Sequence, residues 1–297
     1  TLVTKDGRSF KIERLNNDDL QFSRTTINAI SAAASLAAGV GGTAGVSIAA
    51  SGAYAENVIN TSTTAHITNS VVAGVGDITI SAENRGSVNA SVLALAASIA
   101  GGGTAGVGVA VGVALAFNTI GKSGVAEIKA FSQDSDLVTS GALVVEATNN
   151  QTIDALTVAG SVAVAAGGTA GVAVGGAGVY AENTINVSTE AYIDGGSAND
   201  LLLDDIRAAS ISVTASSIAH IRAFSAAVAV AAAIGTVGVG VAIGITLVRN
   251  VIGGTVNASI RNVSDNVKAT SGNILVKAND KSTISSQAAA AALAIGG

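Results

Sequence analysis

The chain contains no Cys, Pro, Met or Trp, and only five Phe, three Tyr and two His among its 297 residues. Each absence removes a class of protein. Without Cys there is no disulfide framework, thiol nucleophile or thiolate metal site, and two His leave almost nothing for a histidine metal cluster. Without Met, the chain is expected to be an internal piece of something longer. Charged residues make up 12%, about half the usual share for a soluble domain, and the net charge is -5, so no basic surface exists to displace counterions from nucleic acid. What remains is Ala, Val, Gly and Ile. An irregular globular core needs large side chains to fill uneven space. Small, uniform ones suit a thin layer that recurs.

Recurrence is visible directly. Gly41-Gly42-Thr43-Ala44-Gly45 returns at Gly102 to Gly106 and Gly167 to Gly171, and in altered form as Ile234-Gly235-Thr236-Val237-Gly238. The threonines Thr43, Thr104, Thr169 and Thr236 are separated by 61, 65 and 67 residues. Fourteen residues after each stands an Asn, at Asn57, Asn118, Asn183 and Asn250, and ten further on an Ala-x-Ile ends at Ile67, Ile128, Ile193 and Ile260. Polar loops of varying length follow. The units read as a divergent or capping segment at 1–20, repeats at 21–76, 77–141, 142–210 and 211–272, and the start of a fifth at 273–297. In the first segment Asp6-Gly7, between Leu2-Val3 and Phe10-Lys11-Ile12, reads as a hairpin turn.

Each tag is followed by a strict two-residue alternation, as in Val107-Gly-Val109-Ala-Val111-Gly-Val113-Ala-Leu115-Ala-Phe117-Asn118. A helix would scatter these residues around its circumference and suffer both Gly and β-branched penalties, so the segment is expected to be a strand. The segment before the tag, such as 31–38, is rich in Ala and leaves helix and strand both open, although Val158, Val162 and Val164 in the third copy favour a strand. If both are strands, the tag is the turn between them. The expected fold is all-β: a repetitive β-solenoid of stacked parallel layers with an Ala/Val/Gly-rich core, built from four degenerate repeats, each layer burying an Ala/Val/Ile face. Whether one repeat makes one broad coil or three short ones stays open. In-register stacking puts Thr43, Thr104, Thr169 and Thr236 in one structural column and Asn57, Asn118, Asn183 and Asn250 in another, where amides at strand spacing can bond along the axis.

The segments that resume each repeat carry a family likeness. Ala73-Gly-Val-Gly76-Asp77-Ile78-Thr79-Ile80-Ser81-Ala82, Thr139-Ser-Gly141-Ala-Leu143-Val-Val145-Glu-Ala147 and Thr270-Ser-Gly272-Asn273-Ile274-Leu-Val276-Lys-Ala278 resemble the small-Gly-Asp/Asn-Ile-x-Val-x-Ala phrase of filamentous-haemagglutinin-like large bacterial exoproteins. The resemblance covers about ten residues per copy. It implies a very long secreted β-solenoid at the bacterial cell surface, used in adhesion or cell contact. The Ala/Val/Gly blocks depart from the Asn/Thr/Ser-rich pattern of such repeats.

No catalytic residue or cofactor-binding residue is expected, and the chain does not read as an enzyme. Gly101-x-Gly103-x-x-Gly106 matches a dinucleotide fingerprint in letters, but a Val-Gly alternation follows where a helix is needed. Asp194, Asp200, Asp204 and Asp205 crowd the longest loop and are a weak Ca²⁺ candidate, in a spacing that matches neither the EF-hand nor the GGxGxDxUx roll. His66 and His220 read as surface residues, and Glu56 and Glu182 as outward positions tolerant of exchange. The functional expectation is a structural repeat region forming a rod or fibre, extracellular or on the cell surface. Its partners would be further repeats of the same chain, laterally associated copies, and a host or neighbouring-cell surface, with no nucleic acid. The alternatives are a membrane-inserted repeat protein and a carbohydrate-binding β-solenoid.

Overall fold

The computed structural model describes residues 2–4, 9–10, 23–121, 126–196 and 205–297, and every regular element among them is a strand. After β1 (Leu2–Thr4) and β2 (Ser9–Phe10), the first coil runs β3 (Ser23–Gly41), β4 (Ala44–Ile59), β5 (Thr63–Thr68) and β6 (Ser70–Gly74). The second coil is β7 (Ile78–Gly102), β8 (Ala105–Ile120), β9 (Glu127–Gln133) and β10 (Asp136–Thr139). The third is β11 (Ala142–Gly167), β12 (Ala170–Asn186), β13 (Ser188–Asp194) and β14 (Asp205–Ala208). The fourth is β15 (Ser210–Ile234), β16 (Val237–Gly253), β17 (Val256–Arg261) and β18 (Asn266–Ala269), before β19 (Ile274–Asp280) and β20 (Thr283–Gly296) begin a fifth.

Like strands of successive coils pair in parallel, giving four sheets: β3-β7-β11-β15 with β19 and β20, then β4-β8-β12-β16, β5-β9-β13-β17 and β6-β10-β14-β18. One repeat therefore makes one broad coil. The Ala-rich segments before each tag are strands, because their backbone groups pair with the like strand one coil away, on both sides in β7, β11 and β15 and on one side in β3 and β20, outweighing the local helix preference of Ala. β1 and β2 pair antiparallel, as flanks of a hairpin, and β1 lies antiparallel on β6 at the end of the fourth sheet. Asp6 and Gly7 lie outside the described residues. The corner between the two short strands repeats as a left-handed residue at Asn69 (φ 49°), Asp134 (φ 48°) and Asn262 (φ 55°), the residue types that best tolerate it after Gly.

Each coil has two parts. At the base, the lower half of the long strand and the short strands enclose a core of Ile80, Ile120, Ile128, Leu137, Leu143, Val145, Ile153, Ile185, Ile193, Ile206 and Ile211. Beyond it the long strand and the return strand, joined by the tag turn, pack directly on each other as a two-layered blade. There the inward residues are Ala53, Ala94, Ala96, Ala110, Ala114, Ala159, Ala163, Ala177, Ala227 and Ala231, with Gly between them. The expectation of a buried Ala/Val/Ile face thus holds for the base and needs correcting for the blade, which buries Ala and Gly and turns most of its Val, Leu and Ile outward. The cause is spacing. A Cβ on Gly112 would stand 2.5 Å from the Gly160 carbonyl oxygen, and one on Gly244 2.7 Å from that of Ala291. Sheets this close admit a buried Val only at the end beside the base, at Val92 and Val179.

Candidate functional site: side-chain columns and an apolar blade

Asn57, Asn118, Asn183 and Asn250 sit at equivalent register positions of β4, β8, β12 and β16, pointing inward where blade meets base. Each Nδ2 donates to the Oδ1 of the next, Asn57 to Asn118, Asn118 to Asn183 and Asn183 to Asn250, at 2.8 Å every time. Asn118 and Asn183 are fully buried. A buried amide contributes about 0.5–1.5 kcal/mol per net hydrogen bond, but an amide that loses its partner costs about 1–3 kcal/mol, so the column penalises any slip of one coil on the next. Thr43, Thr104, Thr169 and Thr236 line up at the blade tip. Their alignment is carried by the main chain: Thr104 N donates to Thr43 O at 2.8 Å, Thr169 N to Thr104 O at 2.9 Å and Val237 N to Thr169 O at 2.9 Å. Gly101 lies at the end of β7, Gly103 lies in this turn and Gly106 is already in β8, so the glycines lead into a strand, not into a helix.

The structure adds columns the repeat comparison overlooked. Asn84, Asn149 and Ser217 form a second buried polar column, in which Asn149 Nδ2 donates to Ser217 Oγ at 3.0 Å and Gln151 Nε2 to Asn149 Oδ1 at 2.9 Å. All three column residues lie two positions after the Ala that closes the resumption phrase, a spacing present in the sequence but masked by the change to Ser. On the outer surface His66, Phe131 and Tyr192 stack at 5.1 and 4.8 Å with planes only 10° apart, and Arg261 caps Tyr192 at 4.6 Å. Phe117 shares a row with Glu56 and Glu182, yet its ring leans to lie 5.7 Å from Tyr54 and 5.5 Å from Tyr180.

Glu56 and Glu182 face outward. Tyr54 Oη donates to Glu56 at 2.8 Å and Tyr180 Oη to Glu182 at 2.9 Å, and these hydrogen bonds raise both phenols above their ordinary pKa. Arg249 pairs with Glu182 across the coil boundary. Of the acidic loop, Asp200 and Asp204 lie outside the described residues. Asp194 accepts from Arg261 Nε at 2.8 Å, Asn262 Nδ2 at 3.0 Å and Gly196 N at 3.0 Å. Partial burial pushes its carboxyl up, but these donors outweigh burial and hold it below the usual carboxylate range. Asp205 pairs with Arg207 at 3.1 Å. Both aspartates are thus engaged by arginine, and no group of three or more potential metal ligands exists among the described residues. His66 is exposed within the aromatic stack, and His220 bonds Thr283 on the outer face.

The blade exposes apolar side chains on both of its sides. On one side its rows run Ile30/Ser91/Leu156/Phe224, Ala32/Leu93/Val158/Ala226, Ala34/Leu95/Gly160/Val228, Leu36/Ala97/Val162/Val230 and Ala38/Ile99/Val164/Ala232. On the other they run Val46/Val107/Val172/Val239, Ile48/Val109/Val174/Val241, Ala50/Val111/Gly176/Ile243, Gly52/Val113/Gly178/Ile245 and Tyr54/Leu115/Tyr180/Leu247. No charged residue occurs from Ala155 to Ala181 or from Ala223 to Val248. The chain matches no known family model, no curated protein and no solved structure.

Proposed function

We propose that the chain is a structural repeat region of a large secreted bacterial surface protein of the filamentous-haemagglutinin-like kind, a stacked scaffold that carries adhesion or cell-to-cell contact. The observation that supports this best is the unbroken Asn57–Asn118–Asn183–Asn250 column, which repeats one geometry at each boundary between the four complete coils. Such a column locks register along an axis, as an array held under load requires, and a reaction centre has no use for it. Its partners are further coils of the same kind, and its place is outside the cell. Electron micrographs of the native full-length protein should show an elongated rod or fibre, and cells lacking the repeats should lose contact with their target surface. Compact particles, or undiminished contact, would overturn the reading.

A further inference from the structure

We infer that the blade enters the acyl layer of a lipid bilayer, crossing it with strands. The height fits. From Ala44 to Tyr54 the return strand presents eleven residues without charge, a rise of ten steps, and the long strand does the same from Ile30 to Val40. At about 3.3 Å per residue each face is about 33 Å tall, close to the ~30 Å hydrocarbon core. Both faces end at the same level. One meets the row Asn28, Asn89, Asp154 and Arg222, and the other meets Glu56, Glu182 and Arg249, with Tyr54 and Tyr180 just inside the boundary where interfacial aromatics belong. At the far end the tag turn offers Thr hydroxyls and main-chain carbonyls to the opposite headgroup layer, again without a charge.

The exposed side chains are large, and they stay exposed on inner strands flanked on both sides: Leu95 is 44% exposed, Val162 45% and Val111 39%. A second copy laid against one face would leave the other uncovered, whereas acyl chains cover both. Within the blade the backbone is paired by the neighbouring coils, the condition for strands in hydrocarbon. The outermost strands, β3 and β4 at one end and β16 and β20 at the other, need a further coil or the matching edge of another copy in the bilayer. The inference stands on the blade alone and survives if the scaffold role fails.

The test reconstitutes the detergent-dispersed chain with phosphatidylcholine vesicles and separates bound from free protein by flotation. The wild type should float with the lipid, equally at low and high salt, because no charge lies in the inserted part. The double variant Val111→Arg with Ile243→Arg changes two outward residues, so its β circular dichroism and thermal midpoint should stay as they are. Its lipid-bound fraction should fall at least about tenfold, as a cation at bilayer mid-depth requires. Thr152→Arg, on the outer face of the base, should float normally. Because the chain has no Trp, Val111→Trp places a single indole at mid-blade, excited selectively over the three Tyr, and lipid brominated at mid-chain should quench it. The inference is overturned if the wild type does not float, if the two arginines change nothing, if Val111→Trp is not quenched, or if the chain collects as lipid-free assemblies beside the vesicles, with a second copy covering the faces.

Discussion

The base and the blade are built from the same strands and obey opposite rules. At the base Ile80, Leu143, Val145 and Ile153 point in while Ser81, Glu83, Glu146 and Asp154 point out, the ordinary arrangement of a half-buried sheet. Twenty residues along the same strand the small residues are inside and the branched ones outside. The alternation is unbroken across the change, so what differs is the distance to the opposing sheet. Where short strands hold the sheets apart, large side chains fill the gap. Where the two arms meet directly, Gly, Ala and Ser take most of the inward positions, and Val92, Thr157 and Val179 fit only at the end beside the base. Hydrophobicity therefore predicts the inside at the base, and side-chain volume predicts it in the blade.

Substitutions that separate these rules rank by size. Ile153→Ala, in the fully buried base core, should destabilise by about 2–5 kcal/mol, whereas Ile243→Ala, on the blade's outer face, should change stability in water by less than about 1 kcal/mol. Urea melts of the two variants check this, and equal losses would mean that the blade buries its branched residues. Gly112→Ala comes next, since its new Cβ meets a carbonyl at 2.5 Å and the sheets must part, at about 1–3 kcal/mol or more. Gly178→Ala points outward into open space and should be neutral or slightly stabilising, as thermal melts would register. Asn118→Ala orphans Asn57 Nδ2 and Asn183 Oδ1 and should lower stability by about 1–3 kcal/mol, with Asn118→Asp no better, because a carboxylate cannot donate onward.

The smallest effect belongs to the rim of the base. The Asp194 carboxyl is held below its ordinary pKa, so its contribution is complete above the unfolded value, about 3.9, and fades as pH falls through the lower folded value. The stability gap between wild type and Asp194→Asn should be constant near neutrality, below about 1 kcal/mol, and close only in acid. A gap that widens on acidification would contradict the Arg261 pairing.

Much of this fold could be read from the residues, for identifiable reasons. The tag and the Asn positions recur without gaps, and their equal spacing became equal register in the sheets, as the pairing of Asn118 with Asn57 and Asn183 shows. The Ala-x-Ile departs from this in the second copy, where Ile128 lies opposite Thr63 and Thr189 and Ala130 is the residue that pairs with Ala65 and Ala191, an offset of four residues that equal sequence spacing concealed. The strand state of 31–38 was ambiguous because Ala prefers helix locally, and only pairing one coil away decides otherwise. Which face of Val107 to Phe117 turns inward could not be read, because a period of two is symmetric and says nothing about sheet separation. The outer aromatic stack escaped notice because His66, Phe131 and Tyr192 are three different residue types, joined by shape and not by identity.

The broad coil has a geometric consequence. Sixty-odd residues advance the axis by one strand spacing, about 4.8 Å, so the four complete coils make a slab roughly 20 Å thick. A circuit of about 20 residues would gain the same length from a third of the chain. The extra residues lengthen nothing; they build a fin on the side of the column, and growth of the array enlarges that fin as a continuous sail.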